Sequence, residues 1–266
     1  MTDLEAREAS AAAAGAAGKR AYVQRMFSDI APRYDLLNRV LSAGVDRSWR
    51  RVALALLGWE RVPAGTYLDL CAGTLDVATA LSAQPGFAGR VVGADFAEPM
   101  LRAGRAKLAG RPIAPVVADA LALPVADGAL AGAIVAFGIR NVADLDACLR
   151  EVHRALTPGA RFVILEFSTP RAALVRAVYH AYFHHVLPRV GGLVSGHRTA
   201  YSYLPDSVRN FPETTALAER MRAAGYTDVT WRALTFGIAA VHVGAKGRGE
   251  TEDGRREKVE PWQSTR

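Results

Sequence analysis

Residues 67–78 read Tyr-Leu-Asp-Leu-Cys-Ala-Gly-Thr-Leu-Asp-Val-Ala. An apolar run carries an acid near its end, passes through one glycine, and continues with helical spacing. That is a strand turning tightly into a helix. A loop that wraps a pyrophosphate carries G-x-G-x-x-G, because each glycine lets backbone close on the phosphates or on the sheet. This loop has Gly73 alone. It can bring backbone close to a ligand without encircling two phosphates.

The same alternation extends outward along the chain. TYLDL (66–70) leads to a helix over 76–83, and RVVGADF (90–96) to one over 99–108. APVVADA (114–120) leads to a proline-bounded loop, and ALAGAIVAF (129–137) to a helix over 144–156. ARFVILEF (160–167) precedes a long helical segment, 171–187, and a helix over 213–224 precedes DVTWRAL and GIAAVHVGA. Continuous hydrophobic strands separated by helices imply a parallel sheet covered on both faces. The short turn at Thr235-Phe236-Gly237 makes the last two strands an antiparallel hairpin. The expected fold is α/β: a doubly wound, mostly parallel seven-stranded sheet with an antiparallel terminal hairpin and N-terminal helices.

The 266 residues suit one such domain, and half of them are hydrophobic, enough for a sizeable core. Residues 1–19 are alanine-rich without an amphipathic stripe and are expected to be a disordered leader. The folded domain is expected over 20–246, with 171–212 inserted as a lid over an acceptor, and 247–266 as a disordered tail. No stretch of about 18 uncharged apolar residues and no basic-then-apolar start occurs, so a cytoplasmic location is expected. Cys71 and Cys148 have no ligand spacing and are expected to be buried thiols, with no metal. The net charge of +7 has no basic run interleaved with aromatics, so no nucleic-acid partner is expected.

Ligands of doubly wound sheets lie beyond the carboxyl ends of the strands, where strand order reverses. Asp69 stands near the end of the first strand, and Gly73-Thr74 turn into the helix. Asp95 ends the second, where an acid can accept both ribose hydroxyls. Asp119, after the third, can accept from an adenine amine. Any one of these acids could be only a cap or turn former. Three at successive strand ends would repel a diphosphate. They suit an adenosine with a cationic centre: a sulfonium nucleoside such as S-adenosylmethionine.

Four further motifs carry a resemblance. YDLLNRVLSAGVDRSW (34–49) is similar to Y-D-x-M-N-x-x-L-S-x-x-x-H-x-x-W, and AFGIRNV (136–142) contains F-G-[LI]-R-N. RALTPGARFVILEFS (154–168) follows R-V-L-K-P-G-G, strand, L-E-F-S, and YSYLPDSVRNFP (201–212) follows Y-x-Y-L-P-x-S-x-x-x-F-P. Together they resemble the menaquinone/ubiquinone biosynthesis C-methyltransferases, within the class I S-adenosylmethionine-dependent methyltransferases, over nearly all of 22–246. The resemblance implies that Thr74, Asp95, Asp119 and Ala120 contact S-adenosylmethionine. It also implies a demethylated polyprenyl hydroquinone as acceptor, methylated on a ring carbon. The chain departs from the pattern at Asp46 (usually histidine), Leu75 (often glycine), Ala136 (often serine) and Leu37 (methionine). None of these removes an acid that the cofactor reading needs. A methyltransferase of another phenolic or lipid acceptor, or a non-catalytic S-adenosylmethionine or quinone binder, remains the alternative.

Methylating an aromatic carbon needs electron density pushed from a ring hydroxyl and a route for the departing proton. Arg140, a donor without acceptor capacity, is expected to stabilise the developing phenolate or orient a water, with Asn141 positioning the same oxygen. Tyr203, with Tyr34 and Tyr201, can stack on the ring or donate to its oxygens. Glu166 is left without a role, and Asp144 suits the first turn of a helix. The segment 171–196 interleaves apolar residues with arginine and histidine, so it could lie on a membrane surface, pack over the sheet or form a homodimer contact. Adjacent His184 and His185 face different ways on a helix and are not expected to bind metal.

Overall fold

The computed structural model describes residues 3–15, 18–42, 44–182 and 198–248. Seven strands form one sheet: β1 (Thr66–Leu70), β2 (Arg90–Asp95), β3 (Ile113–Val117), β4 (Leu130–Ala136), β5 (Leu156–Phe167), β6 (Tyr226–Leu234) and β7 (Ala239–Lys246). Their order is β3-β2-β1-β4-β5-β7-β6. The first five pair in parallel, and β7 runs antiparallel between β5 and β6. The doubly wound fold with an antiparallel terminal pair is therefore observed. Strand order reverses between β1 and β4, which opens the crevice there.

Side chains alternate across a strand, so each strand feeds two cores. On one face Tyr67, Ile134, Val163, Leu165 and Val241 pack with Ala53, Leu54 and Leu57 of α4 (Val45–Leu57) and Val77, Ala78 and Leu81 of α5 (Asp76–Ser82). On the other, Leu68, Leu70, Ala133, Val135, Phe162 and Ile164 meet Cys148, Leu149 and Val152 of α7 (Leu145–Ala155). Each such side chain contributes about 1.5–3 kcal/mol of burial. Asp144 is the N-cap of α7, its side chain accepting from the Ala147 N–H at 2.9 Å.

Several expected boundaries move for local reasons. The single helix expected over 99–108 splits into α6 (Glu98–Ala103) and a 3-10 turn, Arg105–Leu108. The break is at Gly104, where a Cβ would stand 2.5 Å from the Thr74 carbonyl oxygen. β3 ends at Val117, and Asp119 instead forms an isolated bridge with Ala122. The helix expected from 171 appears as α8 (Ala173–Ala181). Residues 183–197, with His184 and His185, and tail residues 249–266 lie outside the described residues.

The expected disordered leader is corrected. Asp3–Ala13 form a helix, α1, with Ala9, Ala12 and Ala13 buried against α2 (Lys19–Ile30) and Tyr203. Those alanines recur at i, i+3 and i+4, a narrow stripe that small side chains let pack closely. α1 also contacts the helix Arg198–Asn210. No helix among the described residues is long and apolar enough to cross a membrane.

The loops after β1 and β4 touch at the crevice. A Cβ at Gly138 would lie 2.3 Å from the Cys71 Cβ, so only glycine allows this approach. Gly138→Ala should cost about 1–3 kcal/mol by overpacking. The expected drop in melting midpoint is roughly 3–10 °C, read by a thermal melt. A midpoint equal to the parent's would show that these loops are not held together.

Candidate active site

A cleft enclosing about 730 Å³, open solvent included, sits over the carboxyl ends of β1, β2, β3 and β4. Asp95, Asp119 and Ala120 line it on one side, and Gly73 and Cys71 form its floor. Phe27, Tyr34, Phe96 and Phe137 supply aromatic wall, and Asn141 faces it from the loop after β4. Of the nine expected site residues, Gly73, Asp95, Asp119, Ala120 and Asn141 reach the cleft.

Asp95 ties two strand-end loops together. Its Oδ2 accepts the Gly73 N–H at 2.8 Å and its Oδ1 accepts the Ala97 N–H at 2.9 Å. The Phe96 N–H is a third backbone donor to this carboxylate, and a lone pair remains to accept from a ribose hydroxyl. Burial raises the Asp95 pKa, and the backbone donors from Ala97, Gly73 and Phe96 oppose it. Asp119 Oδ1 accepts the Leu121 N–H at 3.0 Å, and Oδ2 pairs with Arg20 of α2 at 2.9 Å. An uncharged ring edge, a pair of hydroxyls and a cation fit this wall, and phosphates do not.

Asp69 does not join the other two acids. It is 1 % exposed, and its Oδ2 accepts the Ala78 N–H of α5 at 2.8 Å. Strand alternation sends Leu70 to the cleft and Asp69 to the opposite face, under α5. Thr74 is also turned away. Its hydroxyl donates to Asp35 Oδ1 and accepts from Lys107 Nζ at 3.2 Å, while neighbouring Gly73 faces the cleft.

Behind this loop runs an ionic network that the sequence reading did not find. Lys107 pairs with Asp35 of α3 (Tyr34–Leu41) and with Asp76, each at 2.6 Å, and Arg50 bridges Asp46 at 2.6 Å and Asp76 at 3.3 Å. Burial works against the Asp35 charge. Hydrogen bonds from Lys107 and Thr74, with the charges of Lys107 and Arg50, still hold its carboxyl below the usual range. Asp46, at the position where the motif usually has histidine, is thereby a buried partner of Arg50 and of the Ser42 hydroxyl.

The loop conformations around the cleft are strained. Cys71, Leu75 and Phe137 all have left-handed backbone, with φ of 52°, 67° and 62°. Such residues cost of order 1–3 kcal/mol each and cluster at functional sites. Leu75 thus takes, as a non-glycine residue, the conformation that the commoner glycine would take freely. Burial, with the nearby Asp95 charge, pushes the Cys71 thiol well up, so it stays protonated.

Asn141 and Tyr203 meet. The Tyr203 hydroxyl, 1 % exposed as a residue, donates to Asn141 Oδ1 at 3.1 Å. Burial pushes Tyr203 up to about 12, which keeps it a donor. With Oδ1 committed, the Asn141 amide has its NH₂ left to donate. Arg140 points elsewhere. Its Nη1 pairs with Glu166 Oε1 at 2.8 Å and also donates to the Phe137 carbonyl, and its Nε donates to Ser207 at 3.3 Å. The guanidinium lies over the Phe167 ring, 5.5 Å from its centroid. The side chain of Tyr201, another expected ring contact, lies outside the described residues.

α2 was not expected at the site, yet it crosses three strand-end loops. Lys19 Nζ donates to the Arg140 carbonyl at 2.9 Å, Arg20 holds Asp119, and Gln24 Nε2 donates to the Phe96 carbonyl at 3.1 Å. Phe27 from the same helix lines the cleft.

The sheet order and the placing of the cleft are those of the class I S-adenosylmethionine-dependent methyltransferase fold. The crystal structure of the [4+2]-cyclase SpnF superposes with a TM-score of 0.63 at 14% identity, covering 86% of this chain and 96% of that one. Phosphoethanolamine N-methyltransferase 2 of Haemonchus contortus, in complex with S-adenosyl-L-methionine, gives 0.53 at 13%, covering 74% and 52%. At such identities the likeness is one of fold. Residues 16–246 match the ubiE/COQ5 methyltransferase family, and the chain belongs to that family. It is 51% identical over 222 residues to the demethylmenaquinone methyltransferase of Thermus thermophilus, covering 82% of this chain and 99% of that protein. It is 47% identical over 229 residues to the ubiquinone/menaquinone biosynthesis C-methyltransferase UbiE of Geobacter sulfurreducens, covering 85% and 88%.

Asp69 makes a pH prediction. Burial pushes its carboxyl up to about 7, against the Ala78 donor and the Arg50 charge and helped by Asp95 and Asp76. The folded state therefore binds this proton more tightly than the unfolded chain, whose carboxyl titrates near 4. Its contribution to stability is full below about pH 4 and is lost as pH rises through 7, up to about 4 kcal/mol in all. Asp69→Asn keeps an acceptor for the Ala78 N–H without the charge. Its stability relative to the parent should climb between pH 4 and 8 in urea unfolding, and a flat difference would refute the shift.

Proposed function

We propose that this enzyme transfers a methyl group from S-adenosylmethionine to a ring carbon of a demethylated polyprenyl hydroquinone. The observation that carries this reading is the composition of one cleft. Two acids with spare acceptor capacity face an aromatic wall and an amide donor. The names of the Thermus thermophilus and Geobacter sulfurreducens relatives support a quinone acceptor.

Asp95 and Asp119 would hold the nucleoside, with Gly73 giving backbone access and Ala120 leaving room beside the ring. Asp69 and Thr74 support the same loop from behind. Bound S-adenosylmethionine supplies an electrophilic methyl group already activated by the sulfonium, and the reading assigns no metal. Asn141, oriented by Tyr203, donates to the hydroxyl oxygen of the acceptor and favours its ionisation. The ring carbon bonds to the methyl as the carbon–sulfur bond breaks, and the ring hydrogen then leaves as a proton to water. Holding the reactants in line contributes up to about 7–11 kcal/mol.

The activity is assigned to the unit from α2 through β7, with 171–212 serving the acceptor. A polyprenyl acceptor brings the enzyme to a membrane surface. The start of α8 fits such contact, with Leu174 79 % exposed and Arg171 and Arg176 beside it. A homodimer through the same segment is the competing use of that surface.

Labelled-methyl transfer to demethylated polyprenyl naphthohydroquinone and benzohydroquinone tests the reading, and transfer to neither would refute it. Asp95→Asn should weaken S-adenosylhomocysteine binding at least tenfold by calorimetry, as a charge-assisted bond is lost. Tyr203→Phe should leave that affinity within threefold and lower kcat about tenfold. Affinity falling with kcat would place Tyr203 in cofactor binding instead.

A further inference from the structure

Arg140 and Asn141 share one 3-10 turn, Ile139–Asn141, directly after β4. The polar groups of Arg140 named above are engaged in holding that turn. Its Nη1 reaches back to the Phe137 carbonyl and across to Glu166 Oε1, and its own N–H points to Glu166 Oε2 at 3.5 Å. Its carbonyl accepts Lys19 Nζ, and its Nε meets Ser207. Glu166, the penultimate residue of β5, lies beside this turn and is 2 % exposed. Its Oε1 also accepts the Phe167 N–H at 2.9 Å. The carboxylate thus faces one guanidinium and two backbone donors, and the guanidinium does not line the cleft.

We propose that Glu166 is a positioning residue for methyl transfer: paired with Arg140 behind the cleft, it fixes the 139–141 turn so that Asn141 meets the acceptor. The inference rests on the methyl-transfer reading above and assigns Arg140 to the support of Asn141, not to contact with the phenolate. Two charges buried together compensate each other, and removing one strands the other. Removing both leaves a neutral pair that can still hydrogen-bond. The pair therefore acts as a unit, and its two deletions do not add.

The experiment is a double-mutant cycle on the full chain: Arg140→Gln, Glu166→Gln and both together. Each variant is assayed for kcat and KM with the polyprenyl hydroquinone, for calorimetric affinity toward S-adenosylhomocysteine, and for melting midpoint. Each single variant should lose at least thirtyfold in kcat, with nucleoside affinity within threefold of the parent. The double variant should recover to within about tenfold of the parent. A double variant as slow as Arg140→Gln would show that the guanidinium acts on the acceptor itself and would overturn the proposal. Glu166→Asp covers the case in which Glu166→Gln does not fold. It keeps the charge, but one methylene shorter it cannot reach Arg140 and the Phe167 N–H together. It should lower kcat about tenfold with unchanged nucleoside affinity, and parent-like kcat would also overturn the proposal. Turnover by the parent is a separate matter: if the parent methylates no hydroquinone, the function fails, whereas a cycle without coupling removes only the role of Glu166.

Discussion

The carboxylate of Asp95 accepts backbone N–H groups from Gly73 and Ala97, and the rest of the cleft is built around that clasp. It joins the loop after β1 to the entry of α6 at the carboxyl edge of the sheet. Together with the Ala72 N–H, which donates to the Ala94 carbonyl at 3.0 Å, it fixes the height of the single-glycine loop above the sheet. The remaining acceptor capacity of the acid thereby lies at one defined place. A group spent on holding backbone is thereby also the group offered to a ligand, and the cost of burying its charge is shared between the two tasks.

Two layers of ionic support lie behind that edge. On the loop side, Lys107 and Arg50 gather Asp35, Asp46 and Asp76 beneath Thr74. On the β4 side, Arg140 and Glu166 brace the turn that carries Asn141. None of these three cations lines the cleft itself. The cleft keeps an acidic, aromatic surface suited to a cationic nucleoside, and the one cation in its lining, Arg20, is paired with Asp119.

Much of this was legible in the chain because strand ends are local events. Apolar runs closed by Asp95 and approached by Gly73 mark where backbone meets ligand, and short connections betray the final hairpin. The position of Asp69 was also open to reading: counting alternately along Tyr67–Leu70 separates it from Leu70. What could not be read is long-range. Nothing local in Lys19, Arg20 or Gln24 says that their helix lies over loops about 70 to 120 residues away, because those contacts depend on how the cap docks. The alanines of α1 hid for a related reason: small side chains give little amphipathic contrast, yet they allow two helices to approach closely. Arg140 looked like a reacting group because it adjoins Asn141 in sequence, whereas a tight turn sends neighbouring side chains in different directions.

Leu75 and Gly93 carry a further consequence for how this chain can change over generations. The left-handed backbone at Leu75 aims its side chain across the sheet, where a Cβ on Gly93 would come within 2.4 Å of its Cδ2. The leucine fills the room that a larger neighbour on β2 would need, and the missing side chain on β2 is what lets the leucine sit there. Exchanges at either site alone leave a hole or a collision. Genetic drift at these two positions is therefore expected to proceed in tandem, each acting as suppressor of the other.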